Sequence, residues 1–308
     1  MRSEQAWQKE EHSRIFGKAI RANNKFLFTL KYQRSLPSRC MNYLLSASGG
    51  SGSSVLDIGC AAGDMYAYLA CLPIFSQLTY RGLDISKPAI EHANRSFETD
   101  VFGVINGDED LRDKEADIVL SVDVVLHQLQ PFEHISNILG CARKYLVVAL
   151  RTRDEGETVL DPELSCQRNY GEWVPWIVVN MKELYRTIIT SSASHLRITS
   201  FKEYTIFGGE GRRYLPKDLY LEDSKTALST LVIEKCEDLL ESEITEYLYE
   251  SRPAISYKKW LFYSYLGAGL KKLGLDEYVA RISCERVENI GEILKHTQIL
   301  DIRRVDLN

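Results

Sequence analysis

Residues Val55 to Leu69 read VLDIGCAAGDMYAYL: a short apolar run, an acid, then Gly59 and Gly63 with two alanines between them. A strand that ends in such a turn and runs into a helix points backbone N–H groups and the positive helix end at a ligand. The missing glycine side chains let that ligand come close. The turn suits a nucleotide or an analogue of one. A dinucleotide fingerprint would read GxGxxG, with pyrophosphate at the helix start. Here the order is Asp57-Ile58-Gly59-Cys60-Ala61-Ala62-Gly63, with an acid where that fingerprint has its first glycine. An aspartate aimed at the site repels pyrophosphate and can pair with an ammonium group. The stretch therefore points away from a nicotinamide dinucleotide and toward a cationic ligand.

Working outward, β-branched runs alternate with helical segments. The strands are SVLDIG, TYRGLDI, VFGVIN, DIVLSVD and YLVVALR, with helices starting near Asp64, Lys87 and Phe132. This rhythm predicts an α/β fold, a doubly wound, Rossmann-like and mostly parallel sheet with helices on both faces. After Arg153 a polar stretch with Tyr170, Trp173 and Trp176 precedes a helix over Met181 to Ser191. ITSFKEYTIFG and ALSTLVIEK then read as strands that pair antiparallel at the sheet edge.

The flanks are predicted to be helical. Glu4 to Leu45 reads as two helices broken near Ser35 to Pro37, and Ser46 to Ser54 as a flexible linker. From Glu237 the chain is charged and helical. In YKKWLFYSYLGAGLKKLG, residues Trp260, Leu261, Tyr265, Leu266, Leu270 and Leu273 can share a face that serves as a lid, a dimer surface or a packed extension. A membrane-surface helix is disfavoured by the acidic overall charge. The expected division is an N-terminal helical cap over 1–50, a ligand-binding domain over 51–236 and a C-terminal helical extension over 237–308.

With 308 residues, 44% of them hydrophobic, the chain can bury a sizeable core. A net charge of -5 gives no electrostatic reason to expect a nucleic-acid partner. No apolar run is long enough to span a bilayer, and the charged start is unlike a secretory signal, so a cytoplasmic protein is expected. Seven scattered cysteines with no CxxC pair predict reduced thiols and no metal site.

Taken in order, these stretches resemble the class I S-adenosylmethionine-dependent methyltransferases from about Val55 to Cys236. VLDIGCAAGD is similar to their first motif, YRGLDISKPAIEHA to the second, VINGDEDL to the third and ADIVLSVDVVLHQL to the fourth. The final antiparallel strand pair also resembles theirs. The resemblance implies S-adenosyl-L-methionine as cofactor and S-adenosyl-L-homocysteine as product. Asp57 and the turn Gly59, Cys60, Ala61 and Gly63 would face its methionine end. Asp84, followed by Ile85, would take the ribose diol; a carboxylate can accept both of its hydrogen bonds. Asp108 and the Glu109 N–H would read the adenine edge, and Ser121 and Val122, at the end of the fourth strand, would lie under the cofactor. Two positions depart from the pattern. Ala61 replaces a frequent glycine and is expected at negative φ, because alanine is strained at positive φ. Gln128 follows His127 where many small-molecule members have a second histidine.

The sulfonium methyl is already activated, so transfer needs an acceptor held in line with the leaving sulfur. A hydroxyl acceptor must also lose a proton, and His127, after the fourth strand, is the candidate base. Asp123 is a weaker candidate, and His134 reads as structural or solvated. Arg151, Arg153 and Arg168 could hold an anionic acceptor group, with Tyr170, Trp173 and Trp176 stacking on a sugar or ring. The leading expectation is O-methylation of a small molecule or saccharide-type hydroxyl, with a possible homodimer through the C-terminal helices. RNA methylation, a non-catalytic binding module and a nicotinamide oxidoreductase are the competing readings.

Overall fold

The computed structural model describes residues 7, 25–47, 52–169, 172–205, 207, 225–251 and 257–307. Helices α1 (Lys25–Tyr32) and α2 (Leu36–Ala47) precede the sheet. Pro37 sits in the first turn of α2, where the missing N–H costs no intrahelical bond, so the break between the helices falls where the sequence put it. The core then runs β1 (Ser54–Ile58), α3 (Asp64–Leu69), β2 (Thr79–Asp84), α4 (Lys87–Phe97), β3 (Phe102–Val104), β4 (Ala116–Val122), α5 (Pro131–Cys141) and β5 (Ala142–Arg153). It continues with β6 (Cys166–Asn169), β7 (Glu172–Pro175), β8 (Val179–Asn180), α6 (Met181–Thr190), β9 (His195–Tyr204) and β10 (Thr226–Cys236). Last come β11 (Glu243–Ser251), α7 (Tyr257–Lys272), α8 (Asp276–Ile282), α9 (Ile290–Ile293) and β12 (Thr297–Arg304).

The main sheet has the order β12-β11-β9-β10-β5-β4-β1-β2-β3, with β8 alongside β5, while β6 and β7 form a separate hairpin. Strands β1 to β5 are parallel, and β10 lies antiparallel between β5 and β9. From β1 the chain moves outward to β2 and β3, then returns to β4 on the other side. The crevice beyond the ends of β1 and β4 is therefore a topological switch point, where open α/β sheets bind ligands. Alternate residues of β1 feed two separate cores: Leu56 and Ile58 pack on one face, Val55 on the other. Helices thus cover both faces, as the near-continuous apolar strands require.

Two expectations about the later strands are corrected. β9 and β10 do pair antiparallel, but they are not the edge, because β11 runs parallel to β9 and β12 is antiparallel to β11. The 237–308 segment is accordingly not all helical. The reason lies in Glu246, which stands at an inward position between the buried Ile244 and Leu248 and hides the alternation of a strand. Its carboxylate is matched from the core: the Lys202 ammonium approaches at 3.2 Å and the Tyr185 hydroxyl donates at 2.7 Å. Lys202 also pairs with Asp154 at 2.5 Å, so a buried charge network seats β11 against the sheet.

The two flanks are also joined to each other. The buried Arg39 of α2 donates to the carbonyls of Gln33, Glu292 and Ile293, and Asn42 donates to the carbonyl of Glu285 while accepting from the Val287 N–H. The Gln33 side chain donates to the Ser283 carbonyl at 2.7 Å. On α7, Tyr263 meets Phe26 of α1 edge-on, whereas Tyr265 and Leu266, and Leu273 just past the helix end, all of the expected packing face, are exposed.

Candidate functional site

The loop after β1 is lashed to the tip of β2. The N–H groups of Gly59 and Cys60 both donate to the Leu83 carbonyl, at 2.7 and 3.1 Å, and the Ala61 N–H donates to Asp84 Oδ2 at 2.8 Å. Asp84 Oδ1 accepts from the Ser86 N–H, also at 2.8 Å. Burial raises the Asp84 carboxyl above its ordinary range, opposed by bonds from the N–H groups of Ser86, Ala61 and Ile85. Gly59 has φ +79°, and a Cβ there would sit 2.1 Å from a Val124 methyl, so both conformation and space demand glycine. Gly63, at φ +87°, lies against the Phe97 and Phe102 rings.

Ala61 is the correction in this loop. Its φ is +46°, in the left-handed region rather than the negative φ expected for alanine, at a cost of about 1–2 kcal/mol. The bond from its N–H to Asp84 holds it there.

Asp57 is buried, with its Oδ2 accepting a hydrogen bond from the Tyr80 hydroxyl at 2.6 Å. Burial pushes its carboxyl up to about 7; the Tyr80 bond opposes this, and the charges of Asp84 and Asp64 add to it. Asp64 lies just past Gly63, and Tyr32 of α1 reaches across to donate to its Oδ2 at 2.9 Å. Its Oδ1 is buried and has no hydrogen-bond partner among the described residues. Burial also raises Asp64, while Tyr32 and Lys31 pull it down. The Tyr32 phenol is raised by its burial, by the Asp64 carboxylate it bonds, and by the charges of Asp57 and Asp123.

At the end of β4, Ser121 is buried with its Oγ unpartnered among the described residues, and Val122 is half-buried. Asp123 follows at φ +58° and holds Arg151 at 2.7 and 3.4 Å. The Arg151 guanidinium also lies 5.4 Å from the Trp176 ring centre. His127 ends a short 3-10 turn, Val125–His127. Its Nδ1 lies 2.8 Å from the Pro175 carbonyl, which can only accept, so that nitrogen carries the proton and Nε2 is the basic one. Its ring stands 4.5 Å from Trp7 and 6.0 Å from Trp176.

The remaining expected residues divide. Asp108 starts a 3-10 turn with Glu109 exposed beside it, and its carboxylate accepts from His134 Nδ1 at 2.8 Å and Asn137 at 2.9 Å. Burial raises that carboxyl, but the His134 and Asn137 bonds outweigh it and hold it below its ordinary value. Arg153 is buried, donating to the Glu155 carbonyl at 2.6 Å around Gly156, and is spent on that loop. Trp176 is core, packed with Leu126 and Val178, rather than an open stacking platform. Trp173 is half-buried on β7, opposite Arg168 in register. Tyr170 lies outside the described residues. Tyr32, Asp64 and Asn137 were not singled out from the sequence, although Asp64 stands within the stretch that decided the fold. Among the described residues, no three His, Cys, Asp or Glu side chains are grouped to hold a metal ion.

Residues 56–146 match the family described as "Methyltransferase domain". No curated protein matches the chain. Among solved structures, the chain is similar to the O-methyltransferase from a trans-AT polyketide synthase multienzyme of Brevibacillus brevis in complex with S-adenosyl-L-homocysteine. That pair is 12% identical over 82% of this chain and 84% of the other, with a TM-score of 0.46. It is also similar to magnesium protoporphyrin IX methyltransferase of Synechocystis PCC 6803 with bound S-adenosylmethionine (15% identity, 67% and 81% coverage, TM-score 0.38). A third likeness is the N-terminal domain of EvdMO1 with S-adenosylhomocysteine bound (12% identity, 66% and 82% coverage, TM-score 0.42). The family match spans β1 to the middle of β5, the part of the sheet that carries the tethered loop, Asp84 and Asp108. That part of the chain matches the methyltransferase-domain family.

Proposed function

We propose that the protein transfers the methyl group of S-adenosylmethionine to a hydroxyl of a small-molecule or saccharide-type acceptor. The observation that carries the reading is the acid-lined turn at the switch point. Asp57, Asp64 and Asp84 gather around a glycine loop, and Asp64 Oδ1 is buried with no partner among the described residues. Such a pocket rejects pyrophosphate and fits a ligand bearing an ammonium and a sulfonium. Bound there, S-adenosylmethionine supplies an activated methyl and a neutral leaving sulfur.

In this reading Gly59 keeps the floor of the turn open, and Asp64, oriented by Tyr32, receives the ammonium. Asp84 accepts from the ribose hydroxyls, with Asp108 and Glu109 at the adenine edge. Ser121 and Val122 form the floor below. Alignment of the acceptor with the methyl provides most of the acceleration. His127 Nε2 takes the hydroxyl proton, while the Pro175 carbonyl fixes the ring's tautomer. Because Asp123 already neutralises Arg151 and Arg153 is spent on its own loop, a strongly anionic acceptor is disfavoured.

Calorimetric titration with S-adenosylmethionine, S-adenosylhomocysteine and NAD tests the cofactor. Micromolar binding of the first two alone supports the reading, and tight binding of NAD alone overturns it. Methyl transfer from labelled cofactor to a panel of hydroxyl and amine acceptors then tests the acceptor class.

A further inference from the structure

We propose that the exposed face of α7 and α8 is a docking surface for an anionic lipid bilayer. On α7, Phe262 and Leu266 fall on one stripe that Leu273, just past the helix end, continues, with Tyr265 beside it. Phe262 is 62%, Tyr265 73% and Leu273 72% exposed. The helix rests on the body through another side, where Gly267 is buried and Tyr263 meets Phe26. After the turn at Gly274, α8 adds Tyr278 and Ile282, both well exposed. Large apolar side chains in such a run mark an interaction site rather than ordinary surface.

Charge selects the occupant. Helix α7 contains four lysines, Lys258, Lys259, Lys271 and Lys272, and no acid. Over residues 257–282 five basic residues face two acidic ones, Asp276 and Glu277, a net +3 in a chain of net -5. The acidic overall charge is thus no argument against this face. A second copy fits poorly: two α7 helices packed antiparallel about a twofold would set the lysines of one end against those of the other. An anionic headgroup layer complements them, and tyrosine and phenylalanine suit the headgroup boundary. At 16 residues α7 lies in the interface rather than spanning it, and no helix among the described residues is long and apolar enough to cross a membrane.

The test is co-sedimentation of the full chain with phosphatidylcholine vesicles, with and without phosphatidylserine. Binding is expected only with phosphatidylserine and should weaken with salt. Each surface lysine is worth about fivefold in partitioning. Lys259→Gln with Lys272→Gln should therefore lower binding at least about tenfold, and Phe262→Ser with Leu273→Ser should abolish it. Unchanged thermal unfolding of both variants shows that the fold is kept. Failure of the parent chain to bind phosphatidylserine vesicles, or equal binding by the variants, overturns the proposal. A concentration-dependent dimer lost in Phe262→Ser with Leu273→Ser, without vesicle binding, would assign the face to a second copy. Binding to polyglutamate but not to vesicles would assign it to an acidic protein.

Discussion

The Ala61 N–H and the Asp84 carboxylate are 2.8 Å apart, so the loop after β1 and the tip of β2 form one unit rather than two neighbouring ligand contacts. In the proposed reading Asp84 therefore has two tasks, holding the loop and accepting from the cofactor. Asp84→Ala should weaken S-adenosylmethionine binding more than about tenfold, since hydrogen bonds to a charged group are worth ~1.5–3 kcal/mol each. Asp84→Asn, which keeps one acceptor oxygen, should fall between. Calorimetry reads both, and unchanged affinity in Asp84→Ala would remove the residue from the site.

Asp57 gives the protein a pH signature. Its folded carboxyl titrates near 7, above the ordinary value of about 4, so between those limits the folded state holds a proton that the unfolded state has released. Stability from this group is present at low pH and falls as pH rises through that window, by at most about 1.4 kcal/mol per pH unit. Asp57→Asn cannot lose that proton. Urea unfolding at about pH 5 and about pH 7 should show the variant gaining on the parent as pH rises, and parallel behaviour would mean that Asp57 titrates normally.

His127→Ala should slow turnover far more than it changes cofactor affinity. The pH–rate profile supplies the sharper test, because a base on Nε2 gives an acidic limb that the variant lacks. A variant with lowered activity but the same limb would show that the ring only packs between Trp7 and Trp176.

Arg39→Ala should destabilise the protein by at least about 3 kcal/mol, because it leaves three carbonyls without their charged donor. Limited proteolysis should show faster cleavage within 257–307. A variant as stable and as resistant as the parent would mean that the clasp between α2 and the C-terminal segment contributes nothing.

The core was legible because its signals are local. Strands β1, β4 and β5 carry β-branched runs, and the helices begin at Asp64, Lys87 and Pro131, within a residue of where periodicity put them. What escaped depends on partners distant in sequence. β11 hid behind Glu246, whose inward place makes sense only beside Lys202 and Tyr185. Arg151 looked available until Asp123, 28 residues earlier, was seen to hold it. Tyr32 became a site residue only because α1 folds over Asp64, 32 positions away. The positive φ of Ala61 was missed for the same reason, since a bond to another strand stabilises it.

The clasp between the two flanks also bears on how the chain is made. Arg39 finds the Ile293 carbonyl 254 residues downstream, and Gln33 finds Ser283 across 250. During synthesis, therefore, α1 and α2 emerge long before α8 and α9, and their buried polar groups wait some 250 residues for their partners. Closure of this clasp is a late, long-range event, slow by topology and exposed to aggregation until α9 leaves the ribosome. A nascent chain stalled before α9 would carry a complete loop and Asp84 with its outer wall still open.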